Sequence, residues 1–205
     1  MRVHQFLSSF KQTNNYIIDV GENQFIGIDI GMLQFNRVMD CVNDANGKLV
    51  AYFLTHSHAD HSSGILEIYE KFRIPIYCTH ACAEEMLDSK KNLSYYLDDI
   101  ESFVYDIPFN RIADETIRLS ESVNIEIISV PGHSAGCMCV KIENALFTGD
   151  FLMEFKTPLN FRTSCKKSYK NSLKKINDLF KDEEIVCYPG HGRSFQLSTL
   201  ISSME

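Results

Sequence analysis

The run Thr55-His56-Ser57-His58-Ala59-Asp60-His61 sets three imidazoles and a carboxylate within six residues, directly after the apolar stretch Leu49-Val50-Ala51-Tyr52-Phe53-Leu54. An apolar run of that length reads as a buried strand. The chain must therefore fold so that four metal-binding groups gather at a strand end. Imidazole nitrogens and carboxylate oxygens are the donors that zinc and ferrous iron prefer, and a solvated loop does not normally concentrate them. Further donors follow other apolar stretches. His133 stands in Pro131-Gly132-His133-Ser134 after Ile125 to Val130, Asp150 in Thr148-Gly149-Asp150 after Ala145 to Phe147, and His191 in Pro189-Gly190-His191-Gly192 after Ile185 to Tyr188. Only His4 and His80 lie outside this set.

The 205 residues, 44% of them hydrophobic, are enough to bury a core, and they read as one domain over residues 1–205. A formal charge of −7 argues against a grip on nucleic acid, which needs clustered Lys and Arg to displace counterions. Met1 to Thr13 does not read as a secretory signal, and no window approaches a membrane-spanning run. The expected partner is a small-molecule substrate, with no nucleic acid and no membrane, and the sequence leaves the oligomeric state open. Seven cysteines, an odd number scattered through apolar segments, favour a reducing cytosol. Cys137-Met138-Cys139 would point both sulfurs to one face of a strand; without a second pair, core packing is the better reading.

Along the chain, Tyr16 to Asp19 and Gln24 to Asp29 flank Gly21-Glu22-Asn23 and read as a hairpin. Phe35, Val38, Met39 and Val42 fall at helical spacing, with Asn46-Gly47 as the stop. A helix is expected from Ser63 to Phe72, a strand over Ile74 to Cys78, and a short helix over Ala81 to Leu87. From Asp88 to Asn110 no period is visible, and this aromatic-rich loop is long enough to suspect a function. Strands are expected again at Thr116 to Leu119, Ile125 to Val130, Cys137 to Ile142 and Ala145 to Thr148. A late helix then carries Tyr169, Leu173, Ile176 and Phe180 on one buried face.

Two metal ions fit the seven donors. His56, His58 and His133 make one site, Asp60, His61 and His191 the other, and Asp150 bridges them. Each ion then keeps room for water, as catalytic zinc requires. The expected nucleophile is a hydroxide shared by the two ions, with Asp60 and Asp150 as the catalytic carboxylates.

These motifs resemble the metallo-β-lactamase superfamily, whose HxHxDH signature stands here as His56-Ser57-His58-Ala59-Asp60-His61. Gly27-Ile28-Asp29-Ile30-Gly31, Pro131-Gly132-His133-Ser134, Leu146-Phe147-Thr148-Gly149-Asp150 and Pro189-Gly190-His191-Gly192 match the family's remaining motifs in order. The resemblance implies an α/β fold, a four-layer αββα sandwich with the metals at one edge of two sheets. Asp150 stands where the zinc β-lactamases it resembles usually place a cysteine, which argues against antibiotic hydrolysis. The spacing around His133 is most similar to the glyoxalase II-like thioester hydrolases, while persulfide dioxygenases share the motifs. The expected activity is hydrolysis of a small thioester or related ester with two zinc ions per chain. The alternatives are a persulfide dioxygenase with one ferrous iron on His56, His133 and Asp150, a lactonase, or a metal-binding module with little catalysis; mixed zinc, iron or manganese occupancy is also open.

Asp29, Thr55 and Thr148 are expected to support the ligands, and Tyr95, Tyr96, Tyr105, Lys156 and Arg162 are candidate substrate contacts. Full-length glyoxalase II carries a further helical domain that holds glutathione. Here only Gly192 to Glu205 follow His191, so glutathione is in doubt as the substrate.

Overall fold

The computed structural model describes residues 1–31, 35–121 and 123–202. The first half forms one sheet: β1 (Arg2–Leu7), β2 (Asn14–Gly21), β3 (Gln24–Ile28), β4 (Lys48–Phe53), β5 (Ile76–Thr79) and β6 (Asn110–Ile112), hydrogen-bonded in that order. The second half forms another, ordered β12 (Phe195–Gln196), β11 (Val186–Pro189), β10 (Ala145–Gly149), β9 (Met138–Ile142), β8 (Asn124–Ser129) and β7 (Glu115–Arg118). Helices α1 (Phe35–Asp44), α2 (Ala59–Ser62), α3 (Ile65–Phe72) and α4 (His80–Glu85) belong to the first half, α5 (Lys166–Phe180) and α6 (Leu197–Ser202) to the second.

Strand alternation sends side chains to opposite faces, and three apolar clusters record the layers. Tyr16, Ile18, Ile26, Ile28, Phe53, Ile127, Val140 and Phe147 pack between the sheets. On the outer face of the first sheet, Ile17, Phe25, Tyr52 and Leu54 meet Val38 of α1, Ile68 of α3 and Cys82 of α4. On the outer face of the second, Cys139, Leu146 and Cys187 meet Tyr169, Ile176 and Phe180 of α5. This is a four-layer αββα sandwich. A bulge at Val50, between the pairs Phe25/Leu49 and Ile26/Ala51, lets Leu49 face the helices while Ala51 and Phe53 face the second sheet.

The expected hairpin forms across Gly21, Glu22 and Asn23, all at positive φ, and α1 ends at the expected Asn46-Gly47. The helix expected from Ser63 to Phe72 forms as α3 and starts two residues later, at Ile65, where Gly64 donates its N–H to the Ile30 carbonyl at 2.9 Å; a separate turn, α2, precedes it over Ala59–Ser62. The segment Asp88 to Asn110 holds one 3-10 turn, Ser94–Tyr96, and its end joins β6. Cys137 and Cys139 lie in the outer core beside α5, as the packing reading expects, and all seven cysteines are free thiols. No helix among the described residues is long and apolar enough to cross a membrane.

Within each sheet the strands that precede the predicted ligands run the same way. β3 and β4 are parallel; β10 is parallel to β11, and β8 and β10 are both antiparallel to β9. The loops after these strands therefore leave at one end of the sandwich, where cross-sheet bonds fix them. Met138 N–H donates to the Thr55 carbonyl at 2.8 Å, and Tyr16 Oη donates to the Pro189 carbonyl at 2.6 Å.

Candidate metal centre

His56 and His58 leave the end of β4, while Asp60 and His61 sit on the single turn of α2. His133 stands on the β8–β9 loop, Asp150 just after β10, and His191 just after β11. All seven predicted ligands come together, and five of them are buried with the others partly so. His56, His58 and His133 present one donor atom each within 4.8 Å of one another, and so do Asp60, His61 and His191.

Three of the imidazoles, His56, His61 and His133, are held in one orientation by a partner on Nδ1. Thr55 Oγ1 donates to Asp29 Oδ2 at 2.6 Å, so it is left to accept from His56 Nδ1 at 3.1 Å. His61 Nδ1 lies 2.8 Å from Asp29 Oδ2, and His133 Nδ1 lies 2.9 Å from the Pro158 carbonyl, which only accepts. These bonds turn Nε2 inward in each case. His58 turns the opposite way, with Nδ1 3.0 Å from His133 Nε2 and Nε2 facing the Thr163 hydroxyl at 3.5 Å.

Asp150 faces both groups at once. Its Oδ2 lies 3.5 Å from His133 Nε2, while its Oδ1 lies 3.3 Å from His61 Nε2 and 3.6 Å from His191 Nε2. Asp60 Oδ2 is 3.1 Å from His191 Nε2 and accepts from Thr13 Oγ1 at 3.0 Å. Three of these inward atoms, His56 Nε2, His61 Nε2 and Asp150 Oδ1, are buried without a hydrogen-bond partner. Buried polar atoms are seldom left unpaired, and an ion that accepts lone pairs accounts for all three. Donors about 2.0–2.2 Å from one tetrahedral ion stand roughly 3.3–3.6 Å apart. His58 Nδ1 and His133 Nε2 stand 3.0 Å apart, and Asp60 Oδ2 and His61 Nε2 3.7 Å, either side of that spacing.

The charges agree with that reading. Burial holds His56 below the ordinary imidazole range, reinforced by His61, His58 and His133, and His58 falls to about 3 through burial and His133. Burial also lowers His133, against the pull of Asp150. Those rings are thus neutral donors at pH 7. Burial would lower His61 too, but Asp150, Asp60 and Asp29 outweigh it and raise the group well above its usual range. Burial works to raise Asp60 and Asp150, yet the surrounding imidazoles hold both below the usual carboxylate range. The second group already favours a cation.

The supporting residues divide by what they touch. Asp29, at φ +53°, accepts from Thr55 N–H at 2.8 Å as well as from Thr55 Oγ1 and His61, so its oxygens are committed to holding ligands. Thr148 Oγ1 donates to the Leu152 carbonyl at 2.7 Å and shapes the turn carrying Asp150. The sequence reading missed the buried triplet Thr13-Asn14-Asn15. Asn14 Nδ2 bonds the carbonyls of Pro189 and Gly192, and Asn15 Oδ1 accepts from Gly31 N–H at 2.7 Å, tying the Asp29 and His191 loops to β2. A polar triplet opening an apolar strand was the available signal.

Among the proposed substrate contacts, Tyr96 and Arg162 line a cavity of about 760 Å³ whose wall includes Thr163, a neighbour of His58 at 3.5 Å, but none of the seven ligands. Tyr95 is exposed beside it, packed edge-on against Tyr96, and Lys156 is exposed on the loop after Asp150. Tyr105 stands apart from that cavity: its ring stacks on Phe103 at 4.4 Å and its hydroxyl donates to the Ser63 carbonyl, which packs the aromatic loop against the start of α3.

The sequence model described as Metallo-beta-lactamase superfamily matches residues 12–191. The chain belongs to that superfamily. It is 27% identical over 175 residues to hydroxyacylglutathione hydrolase of Nitrosomonas europaea, a match covering 85% of this chain and 58% of the relative. The chain thus spans less than two thirds of the length of the first curated relatives it matches. Hydroxyacylglutathione hydrolase GloC of Haemophilus influenzae is 26% identical over 195 residues, covering 91% of this chain and 88% of that protein. Among solved structures, BLEG-1 B3 metallo-beta-lactamase superposes with a TM-score of 0.87 at 21% identity, covering 98% of this chain and 97% of that one, a likeness of fold.

Proposed function

We propose that this chain is a metal-dependent hydrolase that holds two zinc ions and cleaves a small thioester or related ester. The observation that carries this reading is the split carboxylate of Asp150, one oxygen turned to His133 and the other to His61 and His191. A carboxylate so placed suits two cations better than one. His56, His58 and His133 would hold the first ion, Asp60, His61 and His191 the second, with Asp150 shared. Ions held there polarise an acyl oxygen and lower the pKa of water to about 7, so that attack at neutral pH needs no separate strong base.

The protein's own contribution is to fix donors before substrate arrives. Thr55, Asp29 and the Pro158 carbonyl each hold an Nδ1 proton, which turns Nε2 inward; that nitrogen is unprotonated on His56 and His133 at neutral pH, while His61, raised by Asp150, Asp60 and Asp29, would give up a further proton to bind an ion. Asp60 and Asp150, held ionised by the surrounding imidazoles, would supply the negative charge that two cations need. The ring of Phe161, 5.4 Å from both His58 and His133, limits water on that side. The cavity lined by Tyr96 and Arg162 is of a size that suits a small molecule and adjoins Thr163, which stands 3.5 Å from His58.

The preference for a thioester has a chemical basis. A thiolate, with a pKa of about 8.5, leaves without a proton, whereas an amide nitrogen needs an acid. The relatives' name, hydroxyacylglutathione hydrolase, describes removal of an acyl group carried on a thiol and supports the same choice. The test is a panel of S-acyl thiols, oxygen esters, lactones and β-lactam amides offered to zinc-loaded protein. Thioesters should turn over fastest and amides not at all. A zinc-loaded protein that leaves every thioester intact, or that prefers the amides, contradicts the reading.

A further inference from the structure

Glu85 closes α4, outside every motif, and its side chain is buried. Its Oε2 accepts from Ser57 Oγ at 2.7 Å and from Ser134 Oγ at 3.2 Å. Ser57 stands between His56 and His58, and Ser134 follows His133. One carboxylate oxygen therefore joins the loop after β4 to the loop after β8, the two segments that supply all three imidazoles of the first metal group. α4 is itself pinned to the second loop. Thr79, its N-cap, accepts from Cys82 N–H and donates to the Gly136 carbonyl at 2.8 Å, and a Cβ on Gly136 would collide with the Cys82 backbone. Burial raises the Glu85 carboxyl above its ordinary range, although the two serine hydroxyls and the Ala135 amide pull it back. A carboxylate in such a place costs free energy unless its bonds achieve something that an apolar side chain cannot.

We propose that Glu85 is a positioning residue for the His56/His58/His133 metal site: by holding Ser57 and Ser134 on one oxygen it fixes the separation of His58 and His133, and so sets the affinity of that site alone. This rests on the metal reading given above. Glu85 bonds the Ser57 and Ser134 hydroxyls and makes no direct bond to Asp60, His61 or His191; the Ser57 carbonyl, not its Glu85-bound hydroxyl, is what meets Ser62 of α2, so the direct effect of Glu85 falls on the first site. Hydrogen-bond partners one step removed from a metal ligand typically change affinity roughly 10- to 100-fold when removed.

The experiment loads wild type, Glu85→Ala, Glu85→Gln and Ser134→Ala with zinc alone and follows bound metal during dialysis against graded chelator. Circular dichroism and melting of the metal-free forms establish which variants fold. Glu85→Ala and Ser134→Ala should release one ion at roughly 10- to 100-fold lower chelator strength than wild type and keep the other unchanged. Glu85→Gln retains an oxygen for both serines and should stay close to wild type. In a His191→Ala background, which keeps only the first ion, Glu85→Ala should strip that remaining ion. A folded Glu85→Ala or Ser134→Ala that releases neither ion early, or both together, overturns the proposal. A wild type that never holds two ions fails at the earlier step and is distinguishable from both.

Discussion

Replacing Asp29 by Asn removes one charge and almost no volume, and its consequences can be worked from three bonds. The carboxylate accepts from Thr55 N–H at 2.8 Å, Thr55 Oγ1 at 2.6 Å and His61 Nδ1 at 2.8 Å. An amide has only one oxygen. If that oxygen keeps the Thr55 N–H, the NH2 group faces His61 Nδ1, and the imidazole proton must move to Nε2, the atom aimed at the metal. If it keeps His61, two donors meet at Thr55 and a buried N–H is left unsatisfied, which costs about 1–3 kcal/mol. The backbone adds no penalty, since Asn tolerates the φ of +53° that Asp29 adopts. The expected result is a loss of about 1–3 kcal/mol in urea unfolding of metal-free protein. Zinc affinity at the Asp60/His61/His191 site should weaken roughly 10- to 100-fold, the size expected when a ligand's hydrogen-bond partner is lost. Competition with a chromophoric chelator measures the second quantity. Wild-type affinity at both sites in a folded Asn variant would refute the claim that Asp29 fixes the His61 tautomer.

Other perturbations separate fold from site. Phe147→Ala empties a fully buried position between Tyr16 and Tyr188, and should cost about 3–5 kcal/mol by urea titration while metal stoichiometry stays at the wild-type value. Gly190→Ala should do the reverse, because a Cβ there falls on the Asp150 carboxylate and the His61 ring; dialysis should leave less metal per chain even where the melting curve is little changed. Asp114 sits below the ordinary carboxylate range: burial raises it, but Lys175 and the Ser129 N–H outweigh that. A lowered folded pKa gives stability that is present above the unfolded value and lost as pH falls through the folded one. The stability gap between wild type and Asp114→Asn should therefore be small at pH 7 and vanish as the pH drops below about 4.

The ligands were legible because each stands just past an apolar run, and a strand that ends in His or Asp announces both the sheet and the site. The four-layer architecture followed from the resemblance those motifs carry, and the alternation of Tyr16, Ile17 and Ile18 between two clusters gives its physical basis. What stayed hidden was whatever depended on distant pairing. Thr13 and Asp60 are 47 positions apart, Ser134 and Glu85 49, and nothing local in the chain ties them. β1 was missed since half of its residues are exposed, none is fully buried, and they carry no clear period, as an edge strand allows. Tyr105 illustrates a related limit: an aromatic ring in an irregular loop looks the same in sequence whether it meets a ligand or, as with Phe103, another ring.

The most direct test of the central claim is elemental analysis of protein purified without added metal and without air, expressed as ions per chain. Close to two zinc ions, falling to about one in His191→Ala and again to about one in His133→Ala, is the predicted result. A single iron per chain, unchanged in His191→Ala, would contradict the two-ion arrangement around Asp150.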